Sequence, residues 1–309
     1  MKKTIIFSLL LSMTLLSGCG GSSSTSNKSS SEDKTYKANY ELKGTTKVDI
    51  KDLKTSKTST IKNTITVSEE PKNNLGYISI KGAKNEETLY LEKDHFLLKN
   101  GNKYSDISKE LKDSNLQHLF SLGKDFCYFN PYVDVDTLSY LTETSSEKTS
   151  KDIDGTKVDV TMKTYEGGTK LEELLKKEVE DIFQRQTEND TVKALKDLEK
   201  QKKTSDKAKS DKIAEIEKTH SKSSKELLSN AKMSDVKAIV YIDKEKNIRS
   251  SNITGKVNLN DSLEMTFDFD FDVVNIGDSV KVPLVEDSAI EPFQGDLLNK
   301  LSSLFEQYN

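Results

Sequence analysis

The segment Leu263–Val273 alternates without a break between apolar and polar side chains. In an extended strand successive side chains point to opposite faces of the sheet, so one face of this strand is predicted to be buried and the other to be wet. The apolar face carries three phenylalanines and three large aliphatic side chains, namely Leu263, Met265, Phe267, Phe269, Phe271 and Val273. A chain with this strand must build a sheet that has an extensive apolar inner face.

Several other segments show strand character. The clearest are 36–42, 60–67, 76–80, 88–91, 95–98, 158–162 and 236–242. Asn100-Gly101 lies between two short strand-like runs, and this dipeptide favours a two-residue hairpin because both residues accept positive φ. Asp243–Asn247 supplies a turn after the strand that ends at Ile242. The pattern predicts an antiparallel meander that the later strands extend.

Helical spacing predominates in four places. Apolar residues three or four positions apart mark one face of a helix from Leu171 to Phe183, and apolar residues nearly vanish between Glu199 and Lys212. We predict a pair of helices within an insertion at about 170–233, joined near Lys202–Lys209. An amphipathic C-terminal helix is predicted from Leu297 to Tyr308. Short helices are expected at Leu116–Leu122 and around Leu138 and Leu141.

Together these patterns predict an α+β fold. We expect a curved antiparallel sheet, a half barrel, packed over helices. The helical pair should project from it, with the C-terminal amphipathic helix closing the domain.

The N-terminus indicates where the chain resides. Lys2-Lys3 precede an apolar run from Ile5 to Leu16, which is too short to span a bilayer. The sequence Leu16-Ser17-Gly18-Cys19 then resembles the lipobox of bacterial lipoproteins. This resemblance implies a signal peptide at 1–18, cleavage before Cys19, and diacylglycerol on the Cys19 thiol.

Residues 19–35 are rich in Ser, Gly and Thr and have little to bury, so they are predicted to form a flexible tether between the lipid and a domain at 36–309. The expected location is the extracytoplasmic face of the cell membrane, where the lipid on Cys19 makes the membrane a partner. Nearly all basic residues are Lys, with Arg only at Arg185 and Arg249, as is common in low-GC Gram-positive bacteria.

The order of these features resembles the LolA/LppX-like lipoproteins. The resemblance lies in the lipobox, the meander around Tyr90 and Tyr104, the strand Val236–Ile242, the alternating strand to Val273 and the closing Val280–Pro283. It implies a half barrel over helices with an apolar cavity for lipid acyl chains. The cavity-lining candidates would then be Leu263, Met265, Phe267, Phe269, Phe271 and Val273.

Catalytic and metal-binding constellations are weak. His95, His118 and His220 lack metal-ligand spacing. Cys127 is either a nucleophile paired with His118 or a buried thiol beside Phe126 and Tyr128, and its isolation leaves no internal disulfide. The row Asp268, Asp270 and Asp272 either holds a hard cation or solvates an exposed strand face. We therefore expect no enzyme, no cofactor and no metal.

The net charge of the chain and its distribution limit which partners are expected. The net charge is -4 and acids alternate with lysines along the chain, so we expect no nucleic-acid partner. Lysines at 202–209 either touch anionic lipid or wall polymer, or only solvate a helix tip. The sequence thus predicts an extracytoplasmic lipoprotein that binds a lipid or other apolar ligand. The alternative is a structural or interaction protein with a closed core, whose partner would be an envelope protein or a wall polymer.

Overall fold

A computed structural model describes residues 39–113 and 138–294, apart from residues 71, 72, 74, 84, 93, 94, 139, 169, 203, 204 and 260–262. Within these ranges the chain is mostly β. The strands are β1 Tyr40–Asp52, β2 Thr58–Glu70, β3 Leu75–Lys81, β4 Glu86–Glu92, β5 His95–Asn100, β6 Lys103–Asp106, β7 Leu141–Ile153, β8 Thr156–Gly167, β9 Ala231–Ile242, β10 Ile248–Leu259, β11 Leu263–Ile276 and β12 Ile290–Pro292.

The twelve described strands form one sheet in the order β12-β6-β5-β4-β3-β2-β1-β11-β10-β9-β8-β7. Strands β2 to β6 are a meander, as the sequence predicted, and β1 joins this meander to the later strands by pairing with both β2 and β11. All pairs are antiparallel except β12 and β6, which run parallel. The sheet remains open, with β12 and β7 at its edges.

Three α-helices accompany the sheet in the described ranges. They are α1 Ser108–Asp113, α2 Leu171–Lys200 and α3 Asp206–Leu228, and a short 3₁₀ helix follows at Asp287–Ala289. Helices α2 and α3 pack against each other as a hairpin, and both also contact β9. Ser205 caps α3 by accepting a hydrogen bond from the backbone N–H of Ala208 over 3.2 Å.

The main core lies on one face of the sheet, which we call the inner face. Its buried residues come from β1 to β5, from β7 and from β9 to β11, together with Ile107. The first half of α2 adds Leu175, Val179 and Phe183. Beyond Phe183 no described side chain of α2 is buried. The helical pair is therefore held at its base by apolar contacts, while the described part of its far end is partly or fully exposed.

The sheet coils strongly between β1 and β7. Lys43 Nζ on β1 lies 3.1 Å from Asp154 Oδ2 in the β7–β8 turn, although β11, β10 and β9 lie between β1 and β8. In a flat sheet these strands would be roughly 19 Å apart, at about 4.8 Å per step. The β7–β8 hairpin consequently bends back toward the outer face, which is the face opposite the core.

The predicted α+β fold is wrong. Strands dominate the described chain, the sheet is mixed rather than wholly antiparallel, and helices cover only part of it. The error arose from polar segments such as 142–152, which have no apolar alternation and yet form β7. Leu141, expected in a short helix, is the first residue of that strand. Backbone hydrogen bonding to one neighbour is enough to hold an edge strand, so its side chains need not alternate.

Some predictions lie outside the described residues. These are the lipobox with Cys19, the tether 19–35, the short helix at Leu116–Leu122, Cys127 with His118, and the C-terminal helix from Leu297 to Tyr308. Among the residues that are described, no helix combines the length and apolarity needed to cross a bilayer.

Candidate functional site

The residues predicted to line a lipid cavity lie together on the inner face of β11. Phe267, Phe269 and Phe271 are 6%, 1% and 3% exposed. Met265 and Val273 are also buried, whereas Leu263 is half-buried. The rings of Phe267 and Phe269 stack with centroids 5.3 Å apart. The row belongs to the same core cluster as the apolar base of α2.

A groove of about 630 Å³ lies on the opposite, outer face of the sheet. Its floor comes from the outward-facing side chains of β1 to β5, and a segment after β11 forms one wall. The lining residues are mostly hydroxyl-bearing or charged: Glu41, Thr66, Ser68, Tyr77, Ser79, Glu86, Thr88, Tyr90, Lys99, Asn275, Ser279, Val280, Lys281 and Pro283. This size is within the usual range for small-molecule sites.

The floor is organised by strand register into two rows that run across the strands. One row places Ser68 of β2, Tyr77 of β3 and Tyr90 of β4 opposite one another. The neighbouring row places three hydroxyl groups together, from Thr66, Ser79 and Thr88. Side chains two residues apart on a strand share a face, so the two rows lie side by side.

The aromatic row is held by contacts between rings. Tyr77 and Tyr90 stack with centroids 5.7 Å apart and an interplanar angle of 27°. Tyr104 meets Tyr90 edge-on at 5.1 Å. Burial, followed by a hydrogen bond with Tyr104, raises the pKa of Tyr90 to about 12. The Tyr90 phenol therefore stays neutral at physiological pH.

The wall is formed by residues 277–283, which we call the strap. Asn39 accepts a hydrogen bond from the Gly277 N–H over 2.8 Å, and its side-chain amide donates to the carbonyl of Val280 over 3.0 Å. The buried carboxylate of Glu70 accepts from the Val282 N–H over 2.6 Å. These bonds fix the strap along the strand ends, so the groove runs across the strands with the aromatic row nearest the strap.

The groove lining carries as many acidic side chains as basic ones. Glu41 accepts a hydrogen bond from the Asn275 amide over 2.8 Å and lies 3.8 Å from Lys43 Nζ. Glu86 accepts from the Ser79 hydroxyl over 2.8 Å. The two carboxylates of the lining are matched by two ammonium groups, those of Lys99 and Lys281. The groove therefore presents no strong field of either sign.

The two described histidines that the sequence analysis singled out lie at different sites. His95 bonds Asp106 over 2.9 Å, whereas His220 bonds Asp190 over 2.9 Å in the helical pair. The described residues contain no group of three or more His, Cys, Asp or Glu side chains that could hold a metal ion.

The aspartate row lies on the outer face of β11. Burial, together with the charges of Asp272 and Asp268, raises the pKa of Asp270. Asp272 is paired across the strands with Ser250, and Asp272 Oδ1 and Ser250 Oγ are buried without a hydrogen-bond partner among the described residues. The row thus includes a partly desolvated carboxylate as well as solvent-facing ones.

Sequence reasoning missed the groove, although it placed several of its strands. The segments 60–67, 76–80 and 88–91 were predicted only as strands, and no role was assigned to Thr66, Ser79 or Thr88. The available signal was a run of Ser, Thr and Tyr at outward positions of three consecutive strands. The strap was beyond that reasoning, because its position depends on contacts with residues more than two hundred positions away, such as Glu70 with Val282.

Comparison with known proteins adds little. No family model matches the sequence, and no curated protein shows a significant match. Among solved structures, a DUF1329 family protein from Desulfovibrio piger aligns over 94% of this chain and 98% of its own length, at 9% identity and a TM-score of 0.15. Such a score carries no argument about fold or function.

Proposed function

We propose that this chain is an extracytoplasmic lipoprotein that is anchored in the cell membrane through Cys19 and binds a polar ligand of the cell envelope in the outer groove. The groove is the observation that carries this proposal. It combines a volume of about 630 Å³ with a preorganised floor and a fixed wall. The role is one of binding rather than catalysis.

The packing of the inner face also favours the outer groove as the binding site. Phe269 is 1% exposed, and the phenylalanine row shares its cluster with Leu175, Val179 and Phe183 of α2. These contacts favour a closed core over a space for acyl chains. Lipid binding between sheet and helices is the competing proposal, and the Phe269 substitution described in the Discussion separates the two.

Retention on the cell wall tests the groove. The mature lipoprotein, in micelles of a detergent without a sugar headgroup, is mixed with purified wall sacculi and the bound fraction is measured. Ser79→Arg places a long side chain in the middle of the groove floor and should release the protein. Thr64→Arg is the matched control, because Thr64 is exposed on the outer side of β2 and does not line the groove.

The outcomes are distinct. Retention of the wild type and of Thr64→Arg, with loss for Ser79→Arg, supports the proposal. Equal retention of all three proteins, or none for the wild type, would overturn it.

The anchor is tested separately in cells. Cys19→Ser should abolish labelling by a fatty-acid analogue and leave a protein that is uncut or released, because the lipid supplies the membrane affinity. Unchanged labelling of the variant would remove the basis for the membrane location.

A further inference from the structure

The structure assigns the groove an uncharged glycan as its ligand, bound with its chain running across β2, β3 and β4. This inference rests on the proposed function and names the ligand class of the same site. It follows from three features of the groove: the direction of its rows, the chemistry of each row, and the balance of its charges.

The pairing register of β2, β3 and β4 determines the direction in which the groove runs. The rows Ser68–Tyr77–Tyr90 and Thr66–Ser79–Thr88 both run perpendicular to the strands, and the strap lies alongside them. Equivalent positions repeat at about 4.8 Å, the spacing of neighbouring strands. A linear polymer placed along the groove would meet three hydroxyl side chains on one side, and a serine followed by two tyrosine rings on the other.

The chemistry of the rows matches the two surfaces of a sugar ring. A pyranose has C–H faces that pack on aromatic rings, and a rim of hydroxyl groups that both donate and accept hydrogen bonds. Tyr77 and Tyr90 provide half-buried aromatic surface. Thr66 and Thr88 provide hydroxyls with the same double capacity, and the Ser79 hydroxyl, which donates to Glu86, can accept. An acyl chain would leave these polar groups without partners, at a cost in free energy.

The charges argue against a polyanion. Glu41 and Glu86 lie in the same lining as Lys99 and Lys281, so phosphate groups of an anionic wall polymer would meet as much repulsion as attraction. Lys281 is in addition 3.9 Å from the buried Glu70 carboxylate. A neutral ligand fits the groove without this conflict.

The experiment measures binding of uncharged oligomers of N-acetylglucosamine, of increasing length, to the full mature lipoprotein by calorimetry. Tyr77→Ala removes one stacking ring and should weaken binding about tenfold or more. Thr88→Val keeps the side-chain shape but removes the hydroxyl, and should weaken binding by about three- to tenfold. Affinity should change little with salt, since no ion pair is involved.

Matched controls come from the same face of the sheet. Tyr241→Ala removes an outer-face tyrosine on β9, and Thr64→Val alters β2 two residues away from Thr66, both outside the groove. Both should bind the oligomers like the wild type. Thermal melting of every variant identifies loss of binding that comes from loss of folding.

Three results would overturn the inference: no oligomer binding by the folded wild type, equal losses in test and control variants, or a salt-sensitive preference for wall teichoic acid over the neutral oligomers. If the folded wild type stays on sacculi and Ser79→Arg does not, any of these results replaces the ligand class while the proposed function stands. If Ser79→Arg has no effect on sacculi, both fail.

Discussion

Two glycines on the inner face accept aromatic rings from the central strand. Gly44 of β1 lies opposite Phe271, and Gly255 of β10 lies opposite Phe267. A Cβ at Gly44 would overlap both the Phe271 ring and the backbone carbonyl of Asp270. A Cβ at Gly255 would overlap only side-chain atoms of Phe267 and Val236. Both glycines are therefore required by close packing rather than by a turn.

Gly44→Ala should lower the free energy of unfolding by about 1–3 kcal/mol, the usual cost of overpacking a filled core. Gly255→Ala should cost less, because side chains can shift whereas the Asp270 carbonyl is fixed by the sheet. Urea unfolding of both variants measures this order, with Thr45→Ala on the outer face as the control. An unchanged midpoint for Gly44→Ala would contradict the predicted packing.

The Tyr90 phenol is predicted to lose its proton at a higher pH than an ordinary tyrosine does. Because its pKa is raised to about 12 from the ordinary 10.0, the folded protein holds the phenolic proton more tightly than the unfolded chain does. The associated stability is fully present below pH 10 and is lost as the pH rises from 10 toward 12. The difference in tyrosinate absorbance between the wild type and Tyr90→Phe should appear near pH 12.

The same difference measured in urea should appear near pH 10, which provides the control. Circular dichroism of the same samples shows whether the fold persists at each pH. A Tyr90 signal at pH 10 in the folded protein would show that the ring is hydrated and not packed against Tyr104.

At the scale of elements, strand β7 shows how an edge can be built from polar residues. Most of its side chains are exposed, and Leu141 and Ile153 at its two ends are buried. Among the described strands it pairs only with β8, through a tight turn in which Asp154 and Gly155 have positive φ. Lysines along it, such as Lys148 and Lys151, discourage pairing with another chain at the open edge.

The helical pair divides into a packed base and a solvated tip. Leu175, Val179 and Phe183 anchor the base in the core, whereas no described side chain between 194 and 211 is buried. Helical structure at the tip therefore depends on contacts between α2 and α3 and not on the sheet. Mutations at the base and at the tip of the helical pair should therefore change the stability of the domain by different amounts.

Replacing residues 194–211 with a short Gly/Ser loop should change domain stability by less than about 1 kcal/mol. Phe183→Ala at the base should cost about 3–5 kcal/mol, because it leaves a cavity in the core. Thermal and urea unfolding of the two proteins test the contrast. A large loss on truncation would mean that the tip packs on another part of the chain.

At the scale of the whole molecule, the core lies between the centre of the sheet and the base of α2. Phe269 is at its middle, 1% exposed and stacked on Phe267. The coil of the sheet adds the Lys43–Asp154 contact on the other face. Both side chains of that pair are about half exposed, so the pair contributes at most about 1 kcal/mol. Apolar burial, not the ion pair, stabilises the fold.

Phe269→Ala should cost about 3–5 kcal/mol in the free energy of unfolding, as for other large core truncations. The wild type should also take up no fluorescent fatty-acid probe. A mild loss of stability together with probe uptake by the wild type would instead favour an acyl-chain cavity, because a cavity-lining ring already lacks partners on one side. Thr266→Ala, on the exposed face of the same strand, is the control.

The local sequence pattern was sufficient to predict much of the sheet. The alternation of Leu263–Val273 predicted β11 and its buried face, and helical spacing from Leu171 predicted α2. Asn100-Gly101 predicted the β5–β6 hairpin, but the two loop residues are Gly101 and Asn102, because Asn100 still pairs with Lys103. Of the two predicted loop residues, only Gly101 has positive φ. These signals succeed because each depends on side-chain period or on φ preference within a few residues. The lipobox at Cys19 is likewise a local motif, and its lipid remains a prediction.

Tertiary structure decided the rest. The polar sequence of β7 becomes a strand only because β8 lies beside it, and the mixed sheet arises only when β12 reaches β6. The groove depends on register, which aligns Thr66, Ser79 and Thr88, and on Glu70 holding the strap at Val282. Contacts between distant residues have no local period, since they are set by how the completed sheet pairs and coils.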